Sequence, residues 1–424
     1  MQQITTKELG GGVTLTCLTT EQFKASALSA AAAVPLQAEN AAAALLPQVL
    51  ARGTAEHPDL QSLGEALDGL YGARIAPFVR KIGENLAIGF LSDVIDGAYA
   101  SSGDDLTSRA AALIGALWNA PYLTEEGTLC PDYTAGERQN LADRIRALPN
   151  DTRTYAPRRM QELMCAGEPF GYCEYGSAEG AEQITAAHLT EVWRDTLAHA
   201  PIHLFYCGSA TADAVATAFG AAFDCRRAGV QSAAQTVLRA APARPHLFTE
   251  EMDVRQGKLA MGFRTGLTAH DSRYAALMLF VTALGGYTGA RLFCKVREEM
   301  SLCYYASASL DKLKGIMTVS SGIENTAFET ARDAILQQLY DLQQGGLTAD
   351  ELEGARRTLL TSLRQMEDSP FALERFYQSQ AIGGVPDDLQ ARRQAVAQAT
   401  MDEVLAAGRQ IELDTIYFLK GVAQ

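Results

Sequence analysis

Apolar positions along the chain switch between two spacings. Residues 13–18 and 25–35 read as strands, and 41–51 as a helix closed by Arg52-Gly53-Thr54. Leu60, Leu63, Leu67 and Leu70 recur at helical spacing and predict a helix over 59–71. Strands are predicted over 73–80 and 85–91, on either side of the turn-like Lys81-Ile82-Gly83-Glu84. Helices over 105–118, 135–148, 153–165 and 187–199 follow, and a strand over 202–207 ends this half. The apolar periodicity then fades around Ala241-Pro242-Ala243-Arg244-Pro245, which reads as a linker. Beyond it the order returns: a strand over 258–263, helices over 272–284 and 289–299, strands over 303–309 and 316–322, long helices over 327–343 and 349–366, and a last strand over 415–418. The pattern predicts an α+β fold of two tandem, similarly built domains, each an antiparallel β-sheet packed with α-helices. The expected boundaries are an N-terminal domain 1–228, a linker 229–254 and a C-terminal domain 255–424.

With 424 residues, 47% of them hydrophobic and 20% charged, there is apolar material for two cores. A formal net charge of −14 argues against nucleic acid as a partner, because phosphate binding needs clustered Lys and Arg. No run reaches the ~20 apolar residues of a bilayer crossing. The alanine-rich run 27–36 is short and is followed by Gln37 and Glu39. The opening MQQITTKELGGG lacks the basic and then apolar build of a secretion signal. No membrane partner and a cytoplasmic location are therefore expected.

The eight cysteines are scattered without a C-x-x-C pair and read as reduced thiols. Among the six histidines, His199 and His203 have the i, i+4 spacing of a helical metal pair, but Pro201 between them argues against a shared helix face. Two other segments are more informative. One is the helix that ends in Leu50-Ala51-Arg52-Gly53-Thr54. The other runs Gly285-Gly286-Tyr287-Thr288-Gly289-Ala290-Arg291-Leu292-Phe293 and then Val296-Arg297-Glu298-Glu299-Met300-Ser301-Leu302-Cys303-Tyr304.

Set in the duplicated plan, these segments resemble the pitrilysin and insulinase family of zinc metallopeptidases. The resemblance implies the mitochondrial-processing-peptidase-like, or LuxS-like metallohydrolase, fold. In that family the inverted H-x-x-E-H helix follows the second strand and ends in a Lys/Arg-Gly-Thr-like turn. Counting back from Arg52-Gly53-Thr54, the first histidine falls on Ala44, the glutamate on Pro47 and the second histidine on Gln48. Positions 44, 47 and 48 share a helix face, as a metal site requires. Yet alanine and proline carry no donor atom, a glutamine amide is a poor zinc ligand, and the general base is missing. The family's third ligand, a glutamate on a later helix, falls on Arg144 within 137–145, and a shift of one residue would place Asp143 there. One carboxylate alone does not hold zinc. The resemblance thus implies a degenerate zinc site and no metal or other cofactor in this chain.

In the second segment the resemblance implies substrate positioning by Arg297 and by Tyr304 seven residues later. A guanidinium holds a carbonyl or carboxylate through charge-assisted hydrogen bonds, and a phenol donates to developing oxyanion charge. A helix C-terminal cation and a half-buried strand aromatic are the plain structural readings of the same two residues. Arg291 and Tyr305 are secondary candidates. Some members of the family work as pairs, one chain bearing H-x-x-E-H and the other the arginine and tyrosine. The resemblance, strongest to a zinc-less branch associated with elongation factor P modification, implies a catalytically incompetent subunit of such a heterodimer. Its partners would be an H-x-x-E-H paralogue, which would hold the zinc, and a peptide substrate. The alternative is a non-proteolytic structural or peptide-binding protein of the same fold.

Overall fold

A computed structural model describes residues 3–101 and 104–422. Met1 and Gln2, which open the segment read for a secretion signal, lie outside them. In the first half, β1 (Gln3–Gly10), β2 (Val13–Thr19), β3 (Ala25–Pro35), β4 (Arg74–Ile82), β5 (Asn85–Ile95) and β6 (Ile202–Gly208) form one sheet in the order β1-β2-β6-β3-β5-β4. β1 escapes the apolar pattern because it is an edge strand, QITTKELG, whose positions alternate between exposed and half-buried. It reaches β2 through Gly10, Gly11 and Gly12, all at positive φ, and a Cβ on Gly11 would stand 2.7 Å from the Arg227 nitrogen. In the second half, β7 (His246–Met252), β8 (Gly257–Arg264), β9 (Cys303–Asp311), β10 (Ile316–Ile323) and β11 (Glu412–Gly421) form a second sheet, ordered β7-β11-β8-β10-β9.

Two differences from the expected plan have physical reasons. The sheets are not wholly antiparallel, since β2 pairs parallel with β6 and β7 with β11. Each last strand returns after helices rather than a tight hairpin, and a connection of that length allows either direction. In addition, β7 lies within the segment expected as a linker. Its residues HLFTEEM are half polar, so its strand character comes from pairing with β11 and not from its own period.

The chain divides into two compact units that do not follow sequence order. The first holds the described residues of Met1–Arg146, Tyr172–Gln235 and Met366–Gly384; the second holds those of Ala147–Gly171, Thr236–Gln365 and Val385–Gln424. Each unit therefore includes one segment from the other half of the chain.

In the first unit, helix Ala41–Leu50 is buried on most sides, with Leu45, Leu46 and Leu50 at 0% exposure. Each such leucine contributes roughly 1.5–3 kcal/mol through burial. Helix Pro370–Gly383 covers the opposite sheet face: Tyr377 stacks on Phe205, the Gln378 amide donates to Ser29 Oγ at 3.0 Å, and Arg80 Nη1 meets the fully buried Glu374 at 2.8 Å. In the second unit, helix Thr152–Met164 packs on β8 and β11. It approaches so closely that a Cβ on Gly262 would stand 2.4 Å from Met160 Sδ and 2.5 Å from Met164 Sδ. Among the described residues, no helix is long and apolar enough to cross a membrane.

Candidate functional site

Helix Ala41–Leu50, which carries the expected positions 44, 47 and 48, is pinned at its start by side chains. Glu39 accepts hydrogen bonds from the Ala41 nitrogen at 2.8 Å and from Ser177 Oγ at 2.7 Å, and Asn40 Nδ2 donates to the Cys173 carbonyl at 2.9 Å. Along the helix, Ala44 is 1% exposed, Pro47 is buried and Gln48 is half-buried. Arg144 lies on helix Pro131–Ala147, exposed, with its guanidinium 5.8 Å from the ring centre of Tyr175. Asp143 is exposed as well and accepts from Gln139 Nε2 at 2.9 Å.

Beyond the end of this helix, Arg52 meets an acid, Glu137, which is engaged. Its Oε1 meets Arg52 Nη1 at 3.2 Å, and Asn140 Nδ2 donates to its other oxygen at 3.1 Å. Among the described residues, no group of three or more His, Cys, Asp or Glu side chains is placed to hold a metal ion. The side chains present at 44, 47, 48 and 144 do not fit zinc: two lack donor atoms, one is a neutral amide and one is a cation. His199 and His203 do not converge either. His199 ends helix Ala186–His199 beside Asp195, Nδ1 to Oδ1 at 2.8 Å, while His203 lies in β6.

Arg297 and Tyr304 come from neighbouring elements of the second unit. Arg297 stands on a π-helix, Leu292–Glu299, a rare geometry found mostly as short insertions and frequently at functional sites. Its guanidinium lies 4.5 Å from the ring centre of Phe293, its Nε is 3.5 Å from Glu298, and its side chain is 40% exposed. The chain then passes through Ser301 in the left-handed region, φ 53°, and enters β9.

There the pairing slips. Gly322 pairs with Tyr305 but Ile323 pairs with Cys303, so Tyr304 is the extra residue of a β-bulge. A bulge re-aims a side chain, and Tyr304 is 56% exposed. Its phenol donates to Glu324, and this bond to a carboxylate, with that group's charge, pushes the phenol above its ordinary pKa. Gln256 is a second hydrogen-bond partner of the same phenol. Arg291 is held inward by Glu351, at 2.7 and 2.8 Å, and by the Gly346 carbonyl at 2.7 Å. Tyr305 is half-buried beneath Arg153.

Glu324 and Gln256 are absent from the expectations drawn from sequence. Each adjoins a strand end, and only the pairings Gly257 with Ile323 and Cys303 with Ile323 place them at one end of the sheet, beside Tyr304.

A two-sheet α+β chain whose helix Ala41–Leu50 carries no donor atom at 44 or 47, and whose described residues bring no three His, Cys, Asp or Glu side chains together for a metal, defines a zinc-peptidase-like protein. Residues 184–359 match the family described as the peptidase M16 inactive domain. Over 416 residues the chain is 30% identical to the "Probable inactive metalloprotease YmfF" of Bacillus subtilis (strain 168), covering 98% of this chain and 97% of that protein. Two solved structures share the fold over 99% of each chain: a conserved protein from Enterococcus faecalis V583, with 24% identity and a TM-score of 0.89, and a peptidase M16 inactive domain from Pseudomonas fluorescens, with 18% identity and a TM-score of 0.82. The chain belongs to the M16, or pitrilysin and insulinase, family of metallopeptidases, as one of its catalytically inactive members.

Proposed function

We propose that this chain is the non-catalytic subunit of a heterodimeric M16-type zinc metallopeptidase of the cytoplasm. It contributes part of the chamber wall and offers Arg297 and Tyr304 to a peptide that is cut on an H-x-x-E-H partner. The reading is carried by one contrast: donor atoms are missing at Ala44 and Pro47, while Arg297, half-buried, and Tyr304, exposed, keep accessible side chains on a π-helix and a bulge. The Arg297 guanidinium holds a peptide carbonyl or carboxylate in place. The Tyr304 phenol, which keeps its proton at neutral pH, donates a hydrogen bond once the peptide displaces Glu324.

The test is reconstitution. Alone, the chain should cleave no peptide; mixed with an H-x-x-E-H paralogue it should form an active complex. Arg297→Ala should then lower turnover by roughly tenfold or more without loss of assembly. An unchanged rate would remove the assigned role.

A second reading, a non-proteolytic structural or peptide-binding protein, is favoured by the internal engagement of both side chains, Arg297 on Phe293 and Tyr304 on Glu324. It predicts that no peptidase paralogue co-purifies and that mixing produces no activity.

A further inference from the structure

One polar cluster of the second unit buries a cation that, among the described residues, has no acid paired with it. Lys258, in β8, is 8% exposed, and among the described residues its ammonium makes one hydrogen bond, to Gln256 Oε1 at 2.6 Å. An ammonium carries three donors, and a neutral amide answers one of them.

The strand register shows what lies beside it. Lys258 pairs with Gly322 and Gly322 pairs with Tyr305, so the three stand in a row on one face across β8, β10 and β9. Gly322 contributes no side chain. The outer two residues, roughly 10 Å apart at the backbone from the usual strand spacing, therefore border a notch. A Cβ at position 322 would fall 2.6 Å from the Tyr305 ring and 3.0 Å from Gln256 Oε1, so the notch depends on the glycine.

Over it stands Arg153, an exposed residue of helix Thr152–Met164, with its guanidinium carbon 4.4 Å from the Tyr305 ring centre. Burial first, and then the charge of Arg153, hold the Lys258 ammonium below its ordinary pKa, which places the two cations within each other's field. The nearby acids are engaged. Asp151 accepts from the Arg153 and Thr154 nitrogens and from Thr154 Oγ1 as a helix cap, and Glu324 accepts from Tyr304. Gln256 touches both Lys258 and Tyr304, which ties the notch to the residue assigned to peptide contact.

We propose that Lys258 and Arg153 form a carboxylate-binding notch over Gly322, which takes an anionic group of the peptide that Tyr304 contacts, either its C-terminal carboxylate or an Asp or Glu side chain. The inference rests on the peptide-binding part of the reading above and adds a chemical preference to it. Carboxylate oxygens would supply the acceptors the ammonium lacks, with the planar guanidinium closing from above.

Fluorescence anisotropy on the full chain tests this with three short labelled peptides: one ending in a free acid and otherwise without acidic residues, its C-terminal amide, and the amide carrying one internal Asp. The expected result is that the free acid, the Asp peptide or both bind about tenfold more tightly than the neutral amide. Which of them does so identifies the source of the carboxylate. Lys258→Gln should erase the difference and Arg153→Gln should reduce it. A merely structural Lys258 would weaken all three peptides alike and leave the discrimination intact, which would overturn the proposal. Equal affinity of wild type for all three would overturn it while leaving the peptide-binding reading standing; no binding of any peptide would overturn both.

Discussion

Replacing Glu168 by alanine should destabilise the second unit more than most single substitutions in it. Glu168 belongs to the Ala147–Gly171 segment and is 4% exposed. Its carboxylate meets Arg264 Nη2 at 2.6 Å, Lys314 Nζ at 2.7 Å and Arg239 Nε at 3.6 Å. Arg264 and Lys314 are themselves buried, and Asp414, 2.9 Å from Arg264 Nε, is the other acid of the cluster. Without Glu168, the buried Lys314 loses this carboxylate and Arg264 loses one of its two ionic partners among the described residues, keeping Asp414. Removing one member of a buried pair costs about 3–5 kcal/mol, because the remaining charges stay desolvated. For a unit of roughly 200 residues, each kcal/mol moves the melting temperature by about 2–4 °C, so a fall of roughly 10 °C is expected.

The pH dependence has a definite sign. Burial alone would raise the Glu168 pKa, but hydrogen bonds from Arg264 and Lys314 override it and hold the carboxyl below the ordinary 4.5. A depressed acid stabilises the fold above its unfolded-state pKa, and that contribution is lost as pH falls through the folded value. The gap between wild type and Glu168→Ala should therefore be full near neutrality and shrink below about pH 4.5. Differential scanning calorimetry across this range reads both effects. A melting temperature within about 2 °C of wild type at neutral pH would refute the reasoning.

Incubated with equimolar zinc and desalted, the chain should retain far less than one equivalent by metal analysis; stoichiometric zinc would mean a site built from other residues. Placing His, Glu and His at 44, 47 and 48 should still give weak binding while Arg144 occupies the third-ligand position, and adding Arg144→Glu should strengthen it. His203 has both ring nitrogens buried without hydrogen-bond partners among the described residues, and burial holds its pKa down at about 4, from 6.5. Its ring should not titrate above pH 5 by NMR. The unfolded chain would take up a proton there that the folded chain refuses, so stability should fall between about pH 6.5 and 4, and His203→Leu should flatten that slope.

Much of the first unit's chemistry was legible in the sequence because it is local. A helical period and the Arg52-Gly53-Thr54 turn were enough to place Ala44, Pro47 and Gln48 on one helix, and residue type alone says what those side chains lack. The same holds for most of the strands and helices, whose buried faces repeat at the period of the element. β1 and β7 were not legible, since an edge strand with polar residues carries little period of its own. The motif around Arg297 predicted a helix there, but not that the helix is a π-helix.

The sequence by itself determined most of the strands and helices other than β1 and β7, and the residue types at 44, 47 and 48, all of which depend on neighbours within a few residues. Tertiary structure alone decided the parallel return of β6 and β11, the unit to which residues 147–171 and 366–384 belong, the bulge that exposes Tyr304, and the row of Lys258, Gly322 and Tyr305. Register and packing partners are set by contacts between residues far apart in the chain, and a local period does not encode them.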